Sequence, residues 1–157
     1  MDKPDLIVTC VVGDGEAESG PTATAWHGYK YIDPKESGGV IPIVHVNGFK
    51  ISERTIYGCM DDKEMVSLFT GYGYQCRFVE DLENIDADLG ASMEWAYQEI
   101  RRIQKAARSG KPIMKPRWPV LVMRTPKGWG APEKVDGDFM VGSFKSHHKF
   151  GLIYHQS

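Results

Sequence analysis

Two short segments hold residue types suited to a charged ligand: "VVGDGEAESG" at residues 11–20 and "IVHVNGFKI" at residues 43–51. In the first, Asp14 stands between Gly13 and Gly15, directly after an apolar run. The two glycines carry no side chain, so backbone N–H groups there can approach an anion closely. A carboxylate is the wrong group to touch a phosphate itself. It makes sense if a divalent cation lies between it and the phosphate oxygens. The plain alternative is a strand-to-helix turn that Asp14 caps.

The second segment places Asn47 and Gly48 at the end of another apolar run, about 30 residues on, the length of one strand–helix–strand unit. Parallel pairing of the two runs would set Asn47 beside Asp14. One carboxylate, one amide oxygen, a loop carbonyl and two diphosphate oxygens nearly complete the octahedral oxygen shell of magnesium. Asn-Gly is also a common turn pair. Together the segments favour a metal–diphosphate reading over two unrelated turns. Other phosphate templates fail: a GxGxxG fingerprint needs glycine where Glu18 stands, and neither a Gly-Lys-Ser/Thr loop nor an acidic calcium-loop ladder occurs.

Lys127 follows an apolar run and suits an anion contact, or else is a surface lysine. Arg101, Arg102, Lys105 and Arg108 crowd one helix end, where a solvated end is favoured over a phosphate site. His27 and His45 read as structural, and the grouping of His147, His148 and His155 is disfavoured as a metal site.

The elements that must position these residues are legible in outline. Apolar runs at Leu6–Val12, Val40–Val46, Gln75–Val79 and Val120–Met123 predict strands, and the first, second and fourth read as buried on both faces of a parallel sheet. A helix is expected from Glu16 to roughly Tyr31, weakened by Gly20, Pro21 and Gly28. It would point its positive end at the Gly-Asp-Gly turn. A short helix over Asp61–Phe69 takes Asp61 or Asp62 as cap and Gly71 as stop. Leu89, Met93, Ala96, Ile100, Ile103 and Ala107 form one apolar stripe, predicting a helix over Asp88–Arg108 with Gly110 at its C-terminal end. Strands alternating with helices predict an α/β fold, a parallel sheet with flanking helices.

The 157 residues suffice for one such domain, and 41% hydrophobic with 25% charged residues is ordinary for a globular chain. A formal net charge of −2 gives no electrostatic case for nucleic acid or a membrane surface. Cys10, Cys59 and Cys76 are odd in number and widely spaced, and the N-terminus does not read as a signal peptide, so a cytoplasmic setting is expected.

Longer words surround the two motifs: "CVVGDGEAESGPTATAWH", "IPIVHVNGFKI", "GYGYQCRFVE", "RWPVLVMRTPKGW" and "VDGDFMVGSFKSH". Together they resemble the thiamine diphosphate-binding domain of the phosphoketolases. The resemblance implies a transketolase-like diphosphate-binding fold over residues 1–147, followed by a divergent tail at 148–157. It implies thiamine diphosphate and Mg2+ as cofactors. Asp14 and Asn47 would hold the metal through side chains, and Phe49 through its backbone carbonyl. Gly13, Gly15 and Glu16 would lie against the diphosphate, while Lys127 and His147 would be catalytic residues lining the active site near the diphosphate and the substrate-derived intermediate, Lys127 also contacting the cofactor.

The implied reaction is cleavage of xylulose 5-phosphate or fructose 6-phosphate with inorganic phosphate, giving acetyl phosphate and an aldose phosphate. Family members are longer and complete the site with a pyrimidine-binding domain. The chain alone is therefore expected to be inactive, to need that domain or a companion chain, and to form a homo-oligomer. Trp26, Trp129, Phe139 and Phe144 are the expected contact face, with self-association as the consequence if it stays bare. The alternatives are a catalytically silent α/β fragment or partner-binding module, and a transketolase-type enzyme, which Asn47-Gly48 disfavours because Asn-Asn is usual there.

Overall fold

The computed structural model describes residues 3–51, 53–135, 137–142 and 146. Four parallel strands make the main sheet: β1 (Ile7–Gly13), β2 (Gly39–Val46), β3 (Tyr74–Val79) and β4 (Trp118–Arg124), in the order β1-β2-β4-β3. The chain is thus α/β with flanking helices, as its alternating pattern predicts. After β1 come α1 (Asp14–Ala17), α2 (Gly20–Ala25) and a 3-10 turn (Gly28–Tyr31). Between β2 and β3 lie α3 (Ile56–Cys59) and α4 (Asp62–Tyr72), and between β3 and β4 the long α5 (Ile85–Arg108). A two-stranded hairpin, β5 (Lys134–Val135) and β6 (Asp138–Phe139), follows β4.

Right-handed crossovers put α1, α2 and α4 on one face of the sheet, because β1→β2 and β2→β3 advance in the same direction. The return from β3 to β4 puts α5 on the other face. Packing follows suit. Trp26, just past α2, meets Phe69 of α4 edge-on at 5.1 Å and Tyr74 of β3 at 5.9 Å. On the opposite face Ala96, Ile100 and Ile103 of the predicted stripe are buried. Ile100 sits so close to β2 that a Cβ on Gly39 would stand 2.7 Å from its Cγ2.

Several expectations change. The single helix over residues 16–31 is three short pieces, because Gly20-Pro21 starts a new helix at its N1/N2 positions and ends the old one. A four-residue α1 has too few aligned peptide dipoles to act as the anion-attracting helix end expected there. The strand at residues 6–12 is an edge, not a doubly covered centre: Val8 and Val11 are 48% and 68% exposed. Helix α4 runs past Gly71 to end at Gly73, whose φ of +108° suits a residue without Cβ. Its start is the predicted Asp61, in a full capping box with Glu64. Trp26 is buried, its indole N–H donating to the Ala17 carbonyl at 2.9 Å, so it does not belong to an open contact face. Trp129 and Phe139 are exposed, and Phe144 lies outside the described residues. No helix among the described residues is long and apolar enough to cross a membrane.

Candidate functional site

Pairing of β1 with β2 brings the two sequence motifs together. Gly13 lies opposite His45, so Asp14 opens α1 just where β2 runs out into Asn47-Gly48. Asp14 does not cap its own helix. The N-cap is Gly13, which makes no side-chain capping bond. The Asp14 carboxylate is instead 2% exposed and reaches across to the turn after β2. Its Oδ2 accepts from the Gly48 N–H and from the Thr55 hydroxyl, both at 2.8 Å, and its Oδ1 accepts from the Gly15 N–H at 3.0 Å.

The loop it grips is folded tightly. Asn47 Oδ1 accepts from the Phe49 N–H at 3.1 Å, an Asx turn. Gly48 has φ of +84°, and a Cβ on Gly58 would stand 2.4 Å from its Cα. Only glycines let the two backbones approach so closely. Thr55 closes the loop with its N–H on the Gly48 carbonyl at 3.1 Å and caps α3 by accepting from Gly58. Its one hydroxyl thus gives to Asp14 and receives from α3.

Three further side chains clamp this loop. Glu18 Oε2 accepts from the Tyr57 N–H at 3.0 Å, while Lys50 Nζ stands 2.9 Å from Oε1 as an ion pair. That pair is lopsided, with the carboxylate buried and the ammonium half in solvent. Lys127 approaches from beyond β4, buried, and donates to the carbonyls of Phe49 at 3.1 Å and Lys50 at 2.6 Å. Burial pushes the Tyr57 hydroxyl up to about 12, helped by Tyr72 and Glu18, so it is neutral through the physiological range.

Each expected site residue can now be placed. Gly13, Asp14, Gly15, Asn47, Phe49 and Lys127 converge on one corner at the carboxyl ends of β1, β2 and β4, where open α/β sheets bind ligands. Glu16 is exposed and folds back so that its Oε2 would be 2.3 Å from a Cβ on Gly13. His147, like His148 and His155, lies outside the described residues. His45 joins its ring Nε2 to the Thr125 hydroxyl at 2.7 Å, a link between strand ends. At the basic end of α5, Arg101 and Arg108 hold Pro4, Asp5 and Lys35, and Arg102 pairs with Glu99, while Lys105 is exposed.

The donor set suits a hard cation. Among the described residues no group of three or more His, Cys, Asp or Glu is gathered, so any metal here would rely on one carboxylate plus neutral oxygens. Asp14 Oδ1, Asn47 Oδ1 and the Phe49 carbonyl each accept one bond in the described structure and retain a second acceptor position. Beside them opens a groove of about 490 Å³, lined by Asn47, Gly48, Arg54, Tyr57, Arg124 and Thr125 among others. Sequence reasoning passed over Thr55, Glu18, Lys50 and Gly58. Thr55 had one readable signal, a hydroxyl directly before the helical segment "IYGC".

The family model described as the XFP N-terminal domain matches residues 1–153. A probable phosphoketolase of Schizosaccharomyces pombe is 56% identical over 147 residues. Probable phosphoketolase 1 of a Nostoc species is 49% identical over 149 residues, and a probable phosphoketolase of Synechococcus elongatus 46% over 149. Each alignment covers 94% of this chain but only 18%, 18% and 19% of the respective relative. The chain spans less than one fifth of the length of these proteins.

Proposed function

We propose that this chain, which belongs to the phosphoketolase family, forms the magnesium- and diphosphate-holding half of a thiamine diphosphate site. One observation carries the reading: the buried Asp14 carboxylate is fastened to the Asn47-Gly48 turn by a 2.8 Å bond from Gly48 N–H. That bond ties Asp14 to the turn that carries Asn47 and Phe49. Hard oxygen donors of this kind fit magnesium.

When bound, thiamine diphosphate supplies the stabilised carbanion that sugar cleavage requires. The residues here hold and orient. Asp14, Asn47 and the Phe49 carbonyl would bind the cation, and Gly13 and Gly15 would admit diphosphate oxygens to the backbone once the Glu16 carboxylate, which folds over Gly13, swings aside. Lys127 has two of its three N–H donors on carbonyls, which leaves one for an anion. His147 would complete the substrate side.

For the whole protein the reading is phosphorolytic cleavage of xylulose 5-phosphate or fructose 6-phosphate to acetyl phosphate and an aldose phosphate. The pyrimidine pocket would come from the remaining length seen in the relatives. The exposed apolar residues Leu6, Val8 and Val11 at the β1 edge, with Val40 of β2 beside Val8, suit packing against that remainder.

Thermal unfolding tests the reading. Magnesium and thiamine diphosphate together should raise the unfolding midpoint by mass action, with a smaller effect from either alone. An unchanged midpoint at millimolar concentrations of both would refute it.

A further inference from the structure

Lys127 lies three residues past β4, and its ammonium is buried against the loop that follows β2. Its described partners are the carbonyls of Phe49 and Lys50, at 3.1 and 2.6 Å. Among the described residues no carboxylate lies within ion-pair distance of it. A buried cation is ordinarily paired with a charge of opposite sign. Here two neutral carbonyl dipoles receive it instead. Convergent carbonyl oxygens are also what a hard metal cation seeks.

We infer that the Lys127 ammonium is the built-in cation of this corner, holding the Phe49–Lys50 carbonyls in a cation-binding shape and repelling a bare divalent ion from them. The inference rests on the proposed use of the Phe49 carbonyl as a metal ligand. Its consequence is a rule of order. A metal arriving alone meets an ammonium on one of its own ligands, and like charges at close range repel strongly where water is excluded. A metal arriving with a diphosphate brings anionic oxygens that accept from the third Lys127 N–H and offset the repulsion. The site therefore discriminates against a bare divalent cation and favours the metal–diphosphate pair.

Removing the charge should remove the discrimination. Lys127→Gln keeps a donor for one carbonyl but no charge, and Lys127→Met keeps neither. Mn2+ alone, followed by electron paramagnetic resonance on the 157-residue chain, should bind Lys127→Gln about ten-fold or more tightly than wild type, the size of effect that close like charges produce. Without metal, Lys127→Met should speed amide hydrogen exchange at Gly48, Phe49 and Thr55 and leave β2 unchanged, and added Mn2+ should slow it again. Equal or weaker Mn2+ binding by Lys127→Gln, or unchanged loop exchange in Lys127→Met, overturns the inference. If wild type still binds Mn2+ with thiamine diphosphate in that case, only the role of Lys127 falls. If wild type binds neither, the proposed site falls with it.

Discussion

Replacing Asp14 by alanine separates a carboxylate that only awaits a metal from one that also builds the loop. In the structure Asp14 Oδ2 takes hydrogen bonds at 2.8 Å from Gly48 N–H and Thr55 Oγ1. Both donors are buried, Thr55 completely. Hydrogen bonds to a charged acceptor are worth about 1.5–3 kcal/mol each, and a buried donor left without a partner costs a similar amount. Counting these two contacts and neglecting the local bond from Gly15, Asp14→Ala should lose about 3–6 kcal/mol. That is a large share of the 5–15 kcal/mol typical of a domain. Urea unfolding in the presence of a chelator measures it directly. With a slope of about 2 kcal/mol per molar, the midpoint should fall by about 2 M at unchanged slope. Asp14→Asn can set its amide oxygen in the Oδ2 place, where it still accepts from both Gly48 and Thr55, and turn its NH2 toward the Gly15 N–H, so a clearly smaller loss than in Asp14→Ala is expected. A metal-free Asp14→Ala chain within about 1 kcal/mol of wild type would refute this reasoning, because that is the result for a carboxylate held apart from the fold.

Gly58→Ala should destabilise the chain by about 1–3 kcal/mol in the same urea assay, because its Cβ would stand 2.4 Å from Gly48 Cα and 2.7 Å from Thr55 Oγ1; wild-type stability would contradict the close approach. Tyr57 and Tyr74 are both raised from 10.0 to about 12, chiefly by burial. The folded state therefore holds these protons longer than the unfolded chain does. Their contribution is complete below pH 10 and is lost between about pH 10 and 12, so the urea midpoint should fall steeply over that range. Burial likewise lifts the Cys76 thiol to about 12, against Arg124, which lowers it, whereas Cys10 and Cys59 are exposed. A thiol reagent at pH 8 should modify Cys10 and Cys59 quickly and Cys76 only on unfolding; three equal rates would contradict the packing of β3.

How much of this could be read from residues alone differs from element to element. Strands β2 and β4 were legible because they are central, and burial on both faces writes a continuous apolar run. Helix α5 was legible from its stripe, and its real start at Ile85 lies three residues before the predicted one. The edge position of β1 was not legible. Its composition, IVTCVVG, is as apolar as that of a central strand, and strand order is set by crossovers rather than by local pattern. Gly71 and Gly73 offered the same residue type as a helix stop. The left-handed turn falls at Gly73, where a Cβ would collide with the Tyr29 hydroxyl, itself bonded to the Tyr72 carbonyl.

The meeting of Asp14 with the Asn47-Gly48 turn followed from the spacing of one crossover unit. The clamp around it did not. Thr55, Glu18 and Lys50 act through contacts between distant parts of the chain, and their residue types alone suggest solvated loop and helix positions. Lys127 was legible as a cation at a strand end, but its partners, two backbone carbonyls, carry no sequence signature.

The Asp14–Asn47 corner is proposed to bind a divalent cation together with a diphosphate. Isothermal titration of thiamine diphosphate into the chain, with magnesium and then with a chelator, tests it most directly. Asn47→Ala is the informative partner variant, since the described structure gives that side chain only the Phe49 N–H and its removal should cost the fold no more than about 1 kcal/mol. Saturable binding that needs magnesium and disappears in Asn47→Ala is expected. Binding that persists in the chelator, or is undiminished in Asn47→Ala, would contradict it.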